Sequence, residues 1–457
     1  LNFLNGQRSM LKTIFLLVAV WFLPQFAVAQ QNEMVQKLET ITQAYHEVYG
    51  FSGTVKVVLD DNEIWQDSYG LANRSFEIPN TPATRNSINS ISKTFTAALI
   101  LKMTEMGQLK LDVPISTWLP TLSADWADSV TIHHLLTHSS GLPREAGMKA
   151  SDELDFQEQV RLVNELTLLF EPGERYQYSN AGFILLGAII EEVSDREYRD
   201  MMNEGIIEPL GLNNTGVYEG NAMVKNQAVP YKIGPYGVEE AQRTKIIGES
   251  AGGGLYSTLD DLYRFVVALE TEELLNEDSQ ELLFEKHMQL SEGEFEGYAW
   301  SLKQFGPDQI RMAAGSGYGT KSVIIRDPVS GLFIGILSNW GNTPVLDILR
   351  DLYLTVKGQA IDPPTSEMLA DPDKYSAHFG TYVFDPEKMR TYLQKENNRI
   401  VVREIDGKLF MDDELLAQKE NGVLGLTYTN EVRIYFKGDK MILEINENQL
   451  TGTLVQK

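Results

Sequence analysis

Apolar positions recur along the chain with two periods, and the switches between them outline its elements. Met34, Val35, Leu38, Ile41 and Tyr45 share one face at helical spacing, so a helix is expected over Met34 to Val48. Two strand-like runs follow, Gly53 to Leu59 and Glu63 to Gly70, with Asp60, Asp61 and Asn62 as turn chemistry between them. Ile91, Phe95, Ala98, Leu99 and Met103 return mostly to spacings of three and four. Ser92 to Met106 therefore reads as an amphipathic helix, and Gly107 stops it. Thr131 to Thr137 reads as a short helix, stopped by the run from Ser139 to Pro143. Phe183 to Val193 is apolar almost all round, the pattern of a buried helix. Leu259 to Leu269 is amphipathic. Ile310 to Ile325 and Leu332 to Ser338 read as two strands, turned through Asp327-Pro328 and Ser330-Gly331. Leu346 to Val356 closes the series as a helix.

The pattern then changes. Gln359 to Asp373 carries Pro363-Pro364 and little periodicity, so it reads as a linker. Short strands follow: Arg399 to Arg403, Lys408 to Met411, Val423 to Tyr428, Val432 to Phe436, Met441 to Ile445 and Gln449 to Leu454. The expected organisation is a helix-and-sheet domain over 30–358, a linker over 359–373, and a small antiparallel β-sandwich or barrel over 374–457.

Length supports that division, since 457 residues suggest roughly two or three domains. The formal net charge is -25. Such an excess repels phosphate backbones and anionic lipid, so neither nucleic acid nor a membrane surface is an expected partner. There is no cysteine, which excludes a thiol nucleophile, a disulfide framework and thiolate metal sites. Lys12, the apolar run Ile14 to Leu23 and the pattern Ala27-Val28-Ala29 describe a signal peptide within residues 1–29, with Met10 read as its start. The run is about half of what a bilayer-spanning helix needs. A secreted chain, periplasmic or extracellular, with no membrane span in its mature form is the expectation.

Candidate chemistry centres on Ser90-Ile91-Ser92-Lys93. An alcohol is a poor nucleophile at neutral pH and needs a base within hydrogen-bond reach. Ser90 and Lys93 stand three apart at a helix start, so both side chains point to one side. The helix end favours a developing oxyanion and disfavours a second positive charge. Ser9 to Lys12 matches the same pattern inside the signal region. Tyr178-Ser179-Asn180 is a second short motif and opens a buried helix, whereas Tyr428-Thr429-Asn430 matches it by chance.

Order along the chain adds what single motifs lack. Asn89 to Ala97 resembles the nucleophile segment of the serine β-lactamase and penicillin-binding-protein superfamily, in particular its class C-like branch. Gly107 to Asp112, Leu135 to Pro143, Tyr178 to Gly182, Pro209 to Leu212 and Gly254 to Thr258 match that branch in sequence order, over roughly Met34 to Val356. The resemblance implies an α+β fold, with an antiparallel sheet flanked by helices and a helical subdomain. It implies a bacterial serine hydrolase acting without cofactor or metal on a small peptide, ester or β-lactam. Ser90 would be the acylated nucleophile. Lys93 and Tyr178 would share the general-base role. Asn180 would bind the substrate amide and help hold Lys93. Gly315 and Ser316 would line the substrate site, with the Ser90 and Ser316 N–H groups as oxyanion hole.

The third motif departs from the branch. Lys or His is expected two residues before its glycine, and the register gives Ala313-Ala314-Gly315. Arg311 and Lys321 are the nearby replacement cations. The departure turns the expectation towards esters or peptides without a free carboxylate, or towards a module that binds cell-wall fragments without turnover. His134 and His138 are spaced like metal ligands but lack a third partner. Gly252-Gly253-Gly254 reads as a close approach at the site wall, and Tyr298 and Trp300 as core or cleft residues.

Overall fold

The computed structural model describes residues 31–147, 156–220, 222–234, 236–241, 251–393, 395, 397–419, 423–427, 431–445 and 448–456. The signal-peptide expectation falls outside them. The first helix, α1, covers residues 31–49. Strands β1 (Gly53–Leu59) and β2 (Asn62–Tyr69) follow as a hairpin. Helices α2 (Ser92–Glu105), α3 (Asn180–Ser194) and α4 (Leu259–Ala268) come next. Six further strands complete the sheet: β3 (Met288–Ser291), β4 (Glu294–Glu296), β5 (Ser301–Phe305), β6 (Asp308–Gly317), β7 (Thr320–Asp327) and β8 (Leu332–Ser338). Helix α5 (Val345–Val356) closes the domain.

The eight strands form one antiparallel sheet in the order β3-β4-β5-β6-β7-β8-β1-β2. Its central strands are apolar on both faces, as strands buried on both sides must be. Val323, Ile325, Ile334 and Ile336 meet Leu38 and Ile41 of α1 and Ile348 and Leu352 of α5 in one core. Ile324, Phe333 and Leu337 turn the other way, into a core shared with α2, α3 and α4. The period of two thus divides the core into two layers. Tyr45 ties α1 to α5 through its hydroxyl, which donates to Asp351 Oδ2 at 2.7 Å.

Two expectations need correction. Ile310 to Ile325 is not one strand. The chain turns at Tyr318-Gly319, where Gly319 has φ +70°, and β6 pairs back on β7 with Gly317 opposite Thr320. Glycine at that corner avoids the steric cost of positive φ. Nor is α2 amphipathic: Ser92 to Leu101 are all buried, polar members included. Thr96 meets its burial by donating to Ala251 O at 2.6 Å, and Ser92 Oγ accepts from Leu255 N at 3.1 Å.

The C-terminal strands close into a barrel: β9 (Gly380–Val383), β10 (Arg399–Ile405), β11 (Lys408–Met411), β12 (Glu414–Gln418), β13 (Leu424–Leu426), β14 (Val432–Lys437), β15 (Lys440–Ile445) and β16 (Asn448–Gln456). Closure leaves no free sheet edge. The sequence reading lacks β9 and β12 in the barrel, as it lacks β3, β4 and β5 in the main sheet. Glu-Leu-Leu-Ala-Gln has helical propensity, yet it forms β12 because its two leucines serve different cores. Leu416 packs inside the barrel, and Leu415 packs against the sheet domain beside Trp340. The end of the linker joins the barrel too: Ala370 is buried, and its N–H donates to Leu416 O at 3.1 Å.

Candidate active site

Ser90 sits in the 3-10 turn Asn89–Ile91 that leads directly into α2. Asn89 has φ 49°, a left-handed conformation that asparagine tolerates better than most residues. Its side chain repays the strain locally: Nδ2 donates to Thr320 Oγ1 at 3.1 Å, and Oδ1 accepts from Ser87 Oγ at 3.2 Å. The turn lies hard against β6. A Cβ at Gly315 would stand 2.4 Å from Ile88 O, and one at Gly317 would stand 2.3 Å from Asn89 Oδ1. Only glycine permits that approach.

Three sequence-predicted side chains converge here. Tyr178 OH donates to Ser90 Oγ at 2.8 Å. Lys93 Nζ is 3.3 Å from Ser90 Oγ, 2.9 Å from Asn180 Oδ1 and 2.5 Å from Gly252 O. Lys93 is 2% exposed, so these are its means of satisfying a buried amine. Asn180 is the first residue of α3, behind the cap Ser179, whose hydroxyl accepts from Gly182 N. Asn180 Nδ2 donates to Glu145 Oε1 at 2.6 Å, which leaves its Oδ1 facing Lys93.

Chemically this is an alcohol with two proton-handling groups at hydrogen-bond range. Lys93 Nζ thus has three oxygen neighbours, Asn180 Oδ1, Gly252 O and Ser90 Oγ, which fix the amine against the hydroxyl. A Cβ at Gly252 would lie 3.2 Å from Lys93 Nζ, close enough that the amine would have to shift.

The cleft over Ser90 has a volume of about 340 Å³. Tyr178, Arg144, Ser316, Lys321 and the wall residues Thr343, Val345 and Leu346 surround it. Ala314, Gly315 and Ser322 complete it, whereas Ala313 is buried and contributes nothing polar. Of the two replacement cations, Lys321 lines the cleft and donates to Ser316 Oγ at 2.7 Å. Arg311 is elsewhere. It pairs with Glu270 at 2.8 Å, stacks on Phe284, and lines a separate cavity of about 800 Å³ with Arg326 and Asp61.

Arg144 and Glu145 were not legible as site residues. They follow the Ser139 to Pro143 motif directly, and Arg144 Cζ stands 4.7 Å from the Tyr178 ring centroid. His138 packs on the same ring at 4.4 Å between centroids, and its Nδ1 accepts from Ser179 N at 3.1 Å. Burial, with the charges of Lys93 and Arg144, holds the His138 imidazole well below its usual range, so it is neutral packing. His134 caps its own short helix, Ile132–Leu136, by accepting from Thr131 N. That helix ends before His138, so the two histidines do not share a helical face. Tyr298 and Trp300 are core residues, 2% and 0% exposed.

An antiparallel sheet between helical layers, with a serine, lysine and tyrosine gathered at the start of a buried helix, defines the β-lactamase and penicillin-binding-protein class of fold. Residues 38–357 match the Beta-lactamase family, and the chain belongs to it. It is 29% identical over 417 residues to penicillin-binding protein 4* of Bacillus subtilis, an alignment covering 84% of this chain and 90% of that one. It is 30% identical over 258 residues to the esterase EstB of Burkholderia gladioli, covering 48% of this chain and 65% of that one. The octameric penicillin-binding protein homologue of Pyrococcus abyssi superposes with a TM-score of 0.66 at 23% identity, over 91% of this chain and 99% of that one. That last likeness is one of fold, and it extends through the barrel. Among the described residues no helix is long and apolar enough to cross a membrane.

Proposed function

We propose that the protein is a secreted serine hydrolase that acts through a Ser90 acyl-enzyme. The observation that carries this reading is the double contact on Ser90 Oγ, from Tyr178 OH at 2.8 Å and from Lys93 Nζ at 3.3 Å. Lys93 and Tyr178 remove the hydroxyl proton as Oγ attacks the acyl carbon, and they return it to the leaving group. The Ser90 and Ser316 N–H groups stabilise the tetrahedral oxyanion. Asn180 holds Lys93 and receives the substrate amide or ester. Water then takes the acyl group by the same route in reverse. The substrates are esters and amides, including peptides with D-amino acids. The esterase name of one relative supports the ester arm of this reading. Export through the leader expected within residues 1–29 places the activity outside the cytoplasm.

A fluorophosphonate probe and a fluorescent penicillin test the acyl-enzyme. Wild-type protein is expected to label and a Ser90→Ala variant to stay dark; equal labelling of the two ends the reading. Hydrolysis of nitrocefin, a D-alanyl-D-alanine peptide, a D-amino-acid amide and a short-chain ester, measured side by side, then ranks the substrates.

One observation favours a second reading, a module that binds cell-wall fragments without turnover. Ala313 stands where the branch carries a cation or imidazole, and it is buried at 6% exposure. Binding of a peptidoglycan peptide with no labelling and no turnover on any of the four substrates would establish it.

A further inference from the structure

The hairpin of β11 and β12 turns through Asp412 and Asp413, and it reaches the sheet domain. Phe410 and Leu415 bury into the core that holds Trp340 and Val345. Leu415 N donates to Asn342 Oδ1 at 3.2 Å. Asn342 immediately precedes Thr343, and Thr343, Val345 and Leu346 form one wall of the Ser90 cleft. The barrel therefore braces the cleft from behind that wall.

It also brings charge to the cleft. Among the described residues lining it, Arg144 and Lys321 are the cations. Glu145 stands 3.7 Å from Arg144. Lys321 feels the carboxylates of Glu414 and Asp413, both from the hairpin. Burial lowers its ammonium pKa, and those two carboxylates work against that effect. Asp412 is engaged within the barrel, where its Oδ2 accepts from Lys395 Nζ at 2.9 Å and its Oδ1 from Val401 N at 2.8 Å. Asp413 and Glu414 are the members of the turn whose carboxylates act on Lys321.

We propose that the barrel sets the charge selectivity of the Ser90 cleft: Asp413 and Glu414 compensate Lys321, so that the cleft takes uncharged acyl donors and turns away those bearing a free carboxylate. A substrate carboxylate entering beside Ser316 has to compete with two resident carboxylates for one ammonium, and it meets their repulsion. An uncharged ester or amide meets neither penalty. The proposal rests on the hydrolase reading and adds its substrate class.

The test compares two esters, p-nitrophenyl butyrate and the p-nitrophenyl monoester of glutaric acid, on the full chain. In the double variant Asp413→Asn/Glu414→Gln, the kcat/KM ratio of the anionic to the neutral ester is expected to rise about tenfold, with the neutral ester changed less than about twofold. Adding Lys321→Met to that background is expected to return the ratio to the wild-type value. Thermal unfolding of each variant verifies that the barrel is still docked. A ratio that stays within about twofold of wild type in the double variant overturns the inference, as does a rise that persists without Lys321. Both outcomes leave the hydrolase reading standing, because the neutral ester is still turned over. Wild-type protein that hydrolyses neither ester removes that reading and this inference with it.

Discussion

Replacing Glu296 by glutamine is expected to stabilise the sheet domain at neutral pH and to remove a pH dependence. Glu296 ends β4 and is 4% exposed. Burial is the main cause that pushes its carboxyl from 4.5 up to about 8, with a smaller contribution from Glu294. Its side-chain hydrogen bond, from Ser301 Oγ at 3.5 Å, is too long to offset that. The folded protein therefore keeps the proton at pH 7 while the unfolded chain gives it up. With the folded value raised, the contribution of this group is fully present below pH 4.5 and is lost as pH climbs towards 8. Each pH unit in that window costs about 1.4 kcal/mol, so by pH 7 the loss reaches about 3 kcal/mol. Glutamine keeps the shape and has no proton to lose. Urea unfolding followed by tryptophan fluorescence should give equal stabilities for the two proteins at pH 4.5, and a gap in favour of the variant that widens steadily to pH 8. A gap that stays constant across the window would refute the assignment of Glu296 as a neutral buried acid.

Three further expectations concern the site. Gly252→Ala puts a methyl 3.2 Å from Lys93 Nζ and 3.3 Å from Phe183 Cβ, so the amine must shift; kcat/KM on a neutral ester should fall about 100-fold with little change in melting temperature. Tyr178→Phe removes the hydroxyl 2.8 Å from Ser90 Oγ and should lower the acylation rate by about 10²–10⁴-fold, measured by single-turnover labelling, with the fold intact by circular dichroism. Asn89→Ala leaves a residue at φ 49° without its bonds to Ser87 and Thr320, and should cost about 1–2 kcal/mol in urea unfolding.

What could be read from the chain follows from where each residue sits. Ser90, Lys93 and Asn180 stand at the starts of two buried helices, and runs as apolar as α2 and α3 announce themselves. The ordered motifs therefore carried these residues and Tyr178 to one point. Arg144 and Glu145 lie in a loop with no period, so nothing local marks them; the glycine run marks Gly252 as a close approach at the site wall, but not its carbonyl as a partner of Lys93. Lys321 and Ala313 are the most instructive pair, because register decides both. Along β6, Ala313 and Gly315 are buried while Ala314 and Ser316 are exposed. The tight turn after Gly317 then sets Lys321 opposite Ser316, at the cleft, although five residues separate them in sequence. Read as one strand from Ile310 to Ile325, the segment hides that pairing and leaves Arg311 and Lys321 as equal candidates for the missing cation. The turn at Tyr318-Gly319 decides between them: Lys321 lines the cleft over Ser90 from the neighbouring strand, whereas Arg311 pairs with Glu270 away from it. The carboxylates that act on Lys321 belong to the barrel turn, some ninety residues on, at a separation no local pattern could bridge.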